Sequence, residues 1–221
     1  MEAIDLITDN IPVIKTSDTG ENALNLMELY RVSHLPVVNT DVLLGLVSDD
    51  DIYSLSKPNE PIGNHKLSVG KVFVNANTHI YEVISTFSQY DLTVLPVLNN
   101  EEQFIGAITL RDLVRMFSDL LATGGPGGIV VLEFRDMKFS MAEIARIIED
   151  ENAKILSSYL YHCPVNDIFK LTLKINREDL TSILKAFERY NYNVKTWYMN
   201  EGKLDSLIQD RYDSLMRYLD T

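Results

Sequence analysis

Gly45-Leu46-Val47-Ser48-Asp49-Asp50-Asp51-Ile52 returns later in the chain as Gly106-Ala107-Ile108-Thr109-Leu110-Arg111-Asp112-Leu113. Ahead of each copy stands a second shared stretch, His34-Leu35-Pro36-Val37-Val38 and Val94-Leu95-Pro96-Val97-Leu98. The prolines are 60 residues apart and the glycines 61, one residue having been gained in the turn between. A repeat of this length is a small domain, and two copies can face each other across a cleft. The duplication points to a paired ligand-binding module and not to a single catalytic pocket.

Outward from these motifs the same elements recur. A short strand is predicted around Val13-Ile14, then a helix near residues 19–31 with Ala23, Leu24, Met27 and Tyr30 on its apolar face. Val83, Ile84, Phe87 and Tyr90 hold the same phases 60 residues later. Two strands follow in each copy, 35–38 and 43–48, then 95–98 and 104–109, and a helix closes each, the second running to about Leu121. The order is β-α-β-β-α. A unit of roughly 55 residues is marginal alone, so the copies, 1–61 and 62–122, are expected to pack together.

Thr123-Gly124-Gly125-Pro126-Gly127-Gly128 cannot sustain helix or strand and reads as a linker. Beyond it the rhythm changes. Ile129 to Phe134 is a strand, and Ser140 with Glu143 makes a capping box before a helix bearing Met141, Ile144, Ala145 and Ile148. Strands at about 153–162 and 168–175 flank Pro164-Val165-Asn166-Asp167, a hairpin turn. Phe169, Leu171, Leu173 and Ile175 alternate with Lys170, Thr172 and Lys174, so one sheet face is expected buried and the other wet. A helix with Leu180, Ile183, Leu184 and Phe187 and a strand at about 193–198 complete a ferredoxin-like βαββαβ domain over 129–199. The tail, 200–221, reads as a terminal helix with Leu204, Leu207, Ile208, Leu215 and Leu219 on one side. The fold class is α/β (α+β).

Composition bounds the function. The 221 residues are 46% apolar and 24% charged, ordinary for a soluble globular chain. A formal charge of −12 argues against a nucleic-acid partner, which needs a basic surface. No apolar run approaches the ~20 residues of a membrane span. Met1-Glu2-Ala3-Ile4-Asp5 lacks the layout of a signal peptide, so the expected address is cytoplasmic. The single cysteine, Cys163, reads as a small buried hydrophobe.

The motif Gly-h-h-[Ser/Thr]-x-x-Asp admits two readings. Ser48 with Asp51 and Thr109 with Asp112 satisfy the helix capping box, which needs no ligand. A carboxylate in the first turn of a helix can also accept from both hydroxyls of a ribose. The free N–H groups of that helix end, with the Ser or Thr hydroxyl, suit a phosphate. Apolar strand backbone beside the proline can sandwich a flat base. Recurrence at the same place in both copies favours binding, and the two roles are compatible.

On these motifs residues 1–122 resemble a tandem pair of CBS domains, the Bateman module. The resemblance implies an adenosine-containing ligand (AMP, ADP, ATP or S-adenosylmethionine) and regulation of a partner or attached domain, with no further cofactor. It assigns Asp51 and Asp112 to ribose and Ser48 and Thr109 to phosphate. The segments holding His34 and Pro36, and Val94 and Pro96, would flank adenine. Asp49 and Asp50 beside the first site repel phosphate, whereas Arg111 beside the second can grip it with a forked hydrogen bond. The second site is therefore expected to prefer a phosphorylated adenosine, unless Arg111 is simply a solvated helix residue. The first would suit a cationic adenosyl compound.

Residues 129–199 resemble an ACT domain, in which the loop after the first strand often reads Asp-Arg-Pro-Gly-Val-Leu. Asp136-Met137-Lys138-Phe139-Ser140-Met141 departs from it, with Phe139 where the glycine would let a ligand approach the backbone. A dimerising or signal-receiving role is favoured over amino-acid binding. The combination of CBS pair and ACT-like domain is similar to the acetoin-utilisation accessory protein family.

Other chemistries find little purchase. His34, His65, His79 and His162 lack ligand spacing, and no Ser/His/Asp set or phosphate-binding Gly-x4-Gly-Lys is present. Asp49-Asp50-Asp51 reads as an acidic helix start or a contact for Mg²⁺ carried by ATP. The aromatics from Tyr159 to Tyr198 read as core and interface. The expectation is a non-enzymatic sensor, homodimeric by two-fold pairing, that relays adenosyl-ligand binding to its ACT-like domain or to a regulated protein. Its rival is a constitutive dimerisation scaffold with vestigial clefts.

Overall fold

In each copy the first helix starts where a polar side chain takes up a free N–H and stops where the backbone turns left-handed. The Thr19 hydroxyl accepts from Asn22 N at 3.2 Å, opening α1 (Gly20–Tyr30), and Arg31 closes it at φ 57°. An antiparallel hairpin follows, β1 (His34–Asn39) and β2 (Val42–Ser48), then α2 (Asp49–Tyr53), only five residues long. The second copy runs β3 (Val74–Asn75), α3 (Ile80–Tyr90), β4 (Val94–Leu98), β5 (Phe104–Thr109) and α4 (Leu110–Leu120). His79 caps α3, and Asp91 ends it at φ 50°. The computed structural model describes residues 1–7, 11–55, 57–65 and 70–199, and it divides into two compact units, Met1–Met116 and Phe117–Thr221.

The strand expected at Val13-Ile14 shrinks to a single parallel bridge from Ile14 to Val37. Its counterpart, β3, pairs Val74 and Asn75 with Val97 and Leu98 of β4. Both hairpins carry a bulge at the same place, after Val37 and after Val97, opposite the motif glycines. An extra residue there increases the local twist and aims the end of the strand.

The copies exchange their leading segments. Ala3 N and Ile4 N donate to Thr78 O and Ala76 O of the second copy, both at 2.9 Å. Ile62 N and Gly63 N donate to Asp18 O and Thr16 O of the first, at 2.8 and 2.9 Å. Backbone hydrogen bonds therefore cross between residues 1–61 and 62–122 in both directions. Leu46 of β2 joins the core around Val83, Leu95, Val97 and Ile108, and Val38, Leu43 and Leu98 form a small cluster joining the two copies. Burying apolar area at ~25 cal/mol per Å² is what holds such half-sized units together.

The second unit is a four-stranded antiparallel sheet of β6 (Gly128–Phe134), β7 (Ile155–Cys163), β8 (Ile168–Ile175) and β9 (Val194–Tyr198), in the order β7-β8-β6-β9. Two helices, α5 (Met141–Asp150) and α6 (Thr181–Arg189), cover one face. Val130, Leu132, Leu171 and Leu173 meet Ile144, Ile148, Ile183 and Phe187 there. This is the ferredoxin-like order expected from the sequence, with three differences. Gly128 is a strand residue and not linker: its N–H donates to Arg177 O at 2.7 Å. Lys170, Thr172 and Lys174 are half-buried, because Thr172 and Lys174 line a cavity of about 350 Å³ with Ile129, Val131 and Tyr159. Only half of the Ser140 capping box forms, since the Glu143 carboxylate accepts from the Tyr192 hydroxyl at 2.6 Å. Burial and that bond push the Tyr192 phenol up to about 12. The terminal helix read at 203–219 lies outside the described residues.

Candidate functional site

Where β5 passes into α4, Thr109 and Asp112 lock each other. Asp112 N donates to Thr109 Oγ1 at 3.1 Å, and Thr109 N donates to Asp112 Oδ2 at 3.2 Å. The Thr109 hydroxyl also donates to Oδ2. Capping thus occupies one carboxylate oxygen and leaves Oδ1 to other partners, 3.8 Å from the Arg115 guanidinium. Both residues line a cleft of about 440 Å³, a size suited to a small organic ligand.

The cleft has two walls from different copies. Thr109, Leu110, Arg111, Asp112, Val114 and Arg115 come from the second motif and α4, with Thr93 beside them. Ile11, Tyr30, Arg31 and Val32 come from the first copy. Its base is pinned by Thr93, whose hydroxyl accepts from Ser33 N at 2.9 Å and bonds His34 Nδ1 at 3.1 Å. Three guanidinium groups and one carboxylate thus share an apolar pocket in a chain of charge −12. Such a site favours an anion, which can take forked, charge-assisted hydrogen bonds. The carboxylate offers acceptors to hydroxyl groups on the same molecule.

Several sequence-stated positions fall elsewhere. Pro36, Val94 and Pro96 are buried inside the hairpins and are not among the residues lining the cleft. All five residues of β4 are buried, so hydrophobic-Pro-hydrophobic is a core signature here. The apolar lining comes instead from Ile11, Tyr30, Val32, Leu110 and Val114. Nothing in a linear motif links Tyr30 and Arg31 to Asp112. The available signal was the 60-residue offset, which sets Arg31 against Asp91.

At the first motif Ser48 and Asp51 make the same reciprocal box, at 3.0 and 3.1 Å. Its surroundings are acidic. Burial pushes the His34 imidazole below its ordinary 6.5, while Asp49, Asp91, Asp51 and Asp50 pull it back up. Asp49 borders a shallow cleft of about 600 Å³ with Glu28, Arg31 and Tyr53. Among the described residues no group of three or more His, Cys, Asp or Glu is arranged to hold a metal ion. No described helix is long and apolar enough to cross a membrane.

Known proteins share the first half of the chain. The CBS domain family model matches residues 3–57 and 68–119. Inosine-5'-monophosphate dehydrogenase of Methanocaldococcus jannaschii is 30% identical over 117 residues, 52% of this chain and 23% of that protein. Homoserine O-acetyltransferase of Methanobrevibacter ruminantium is 26% identical over 115 residues, 52% of this chain and 24% of that one. The chain therefore spans about a quarter of the length of the curated relatives it matches. Among solved structures, a CBS domain pair/ACT domain protein from Thermotoga maritima is similar at TM-score 0.48 and 24% identity, over 53% of this chain and 96% of its own. CBSX2 in complex with AMP is similar at TM-score 0.47 and 24% identity, over 52% and 95%.

Proposed function

Its N-terminal half being a tandem pair of CBS domains, the chain is, we propose, a non-catalytic cytoplasmic sensor that binds an adenine nucleotide in the cleft beside Asp112. The carrying observation is the pairing of a half-used carboxylate with Arg31, Arg111 and Arg115 in one two-sided pocket. Asp112 Oδ1 serves the ribose hydroxyls, and the guanidiniums serve the phosphates. Ile11, Tyr30 and Val32 supply the apolar surface for the base. The two enzymes above differ in name and each matches this chain over only about a quarter of its own length, which supports a regulatory role over a catalytic one.

Residues 129–199, read as an ACT-like domain of the kind found in acetoin-utilisation accessory proteins, receive the signal or pass it to a regulated protein. A ligand shifts a conformational equilibrium only through its differential affinity for the two states. In this reading the chains pair about a two-fold axis.

Thermal unfolding with adenosine, AMP, ADP, ATP and S-adenosylmethionine tests the reading. A true ligand at ~100 Kd adds about 2.7 kcal/mol of stability, and Asp112→Asn abolishes most of that gain. If none of the five compounds shifts the transition, the sensor reading gives way to the scaffold.

A further inference from the structure

Comparing the two copies position by position exposes a charge inversion around their equivalent motifs. Arg31 and Asp91 both follow the first helix of their copy, in the left-handed conformation at φ 57° and 50°. Arg111 is matched by Asp50, Leu110 by Asp49 and Arg115 by Ser54, whereas the aspartate of the motif is kept as Asp51 and Asp112. Because the copies face each other, Arg31 of the first copy projects into the cleft built on the second motif. Arg111 and Arg115 meet it there from one face of α4, four residues apart.

We propose that Arg31 is the residue that makes this cleft selective for a phosphorylated nucleoside, and that the inverted charges confine such a ligand to one cleft per chain. The inference rests on the adenine-nucleotide reading above and adds to it the basis of selectivity. Among the described residues neither Arg31 nor Arg111 makes an ion pair, so both guanidiniums are available. A phosphate held from both copies at once couples their relative position to occupancy, which neither Arg111 nor Arg115 can do alone. At the first motif Asp49, Asp50 and Asp91 all act on His34, and in the cleft beside Asp49 the single guanidinium, Arg31, faces Glu28 and Asp49 together. A phosphate there would meet like charge, which costs affinity at any workable distance.

Titration calorimetry of the full chain with adenosine, AMP and ADP, without divalent metal, tests this. Arg31→Asn is the chosen variant because asparagine tolerates the left-handed cap. The wild type is expected to bind one ADP per chain, at least about tenfold more tightly than adenosine. In Arg31→Asn that preference collapses, with adenosine affinity within about twofold of wild type. Arg31→Lys, which keeps the charge but not the fork, recovers part of it. Equal affinity of wild type for adenosine and ADP, an unaltered preference in Arg31→Asn, or two ADP per chain each overturns the inference while leaving nucleotide binding intact. If none of the three compounds binds the wild type, the underlying reading fails as well.

Discussion

His34 and Val94 fill the same position in the two copies, and the difference between them has a measurable consequence. His34 Nδ1 accepts from Thr93 N at 3.3 Å, a bond that only an unprotonated nitrogen can take. Burial lowers the folded pKa below 6.5, against the pull of the surrounding aspartates, so the folded chain holds that proton less tightly than the unfolded one. Stability from neutral His34 is therefore fully present above the unfolded value and drains away as pH falls toward the folded one. His34→Val, which copies the second repeat, should flatten the loss of thermal stability between about pH 7.5 and about pH 5.5. An unchanged acid limb would show that His34 is not the titrating group. At this scale the sequence made Thr109, Arg111 and Asp112 legible, because a motif of fixed spacing held them together. The complete burial of the strand holding Pro96 is not encoded in a five-residue pattern, and Arg31 reaches the cleft only through the pairing of copies.

Among the elements, the hairpin glycine explains why the repeat begins where it does. Gly106 has φ +153° beside the bulge of β5, and a Cβ there would lie 2.4 Å from Ile7 Cγ2. Periodicity predicted the strands, but not the bulge, which leaves no trace in an alternation of apolar residues. Gly106→Ala forces both a glycine-only backbone region and a clash with a β-branched neighbour. It should cost about 1–3 kcal/mol of stability, read as a lower denaturant midpoint at unchanged slope. An unaltered midpoint would mean that the exchanged leading segment yields freely. The half-formed capping box of α5 teaches a similar lesson. Ser140 and Glu143 stand at the right spacing, yet Tyr192, 49 residues from Glu143, takes the carboxylate. Local spacing identifies which groups can pair, and tertiary structure decides which do.

At the scale of the whole molecule, α4 is the element that both units share. The division between the two units falls inside α4, between Met116 and Phe117. Its first turn bears Arg111 and Asp112 of the cleft, and the carbonyl of Leu121 just past its end accepts from Ser157 Oγ on β7 at 2.9 Å. Rigidifying the start of a continuous helix restrains its far end, because each turn is hydrogen-bonded to the one before. Saturating ADP should therefore slow amide hydrogen exchange along residues 110–120 and, further on, around Ser157 in β7, where local opening sets the rate. Replacing Ser157 with Ala should leave the first effect and weaken the second, because it removes the bond between the helix end and the sheet. Slowing confined to residues 110–116 would mean that the second unit does not receive the signal through α4. The response would then have to pass outward from the first unit to another protein, and the βαββαβ unit would serve assembly alone.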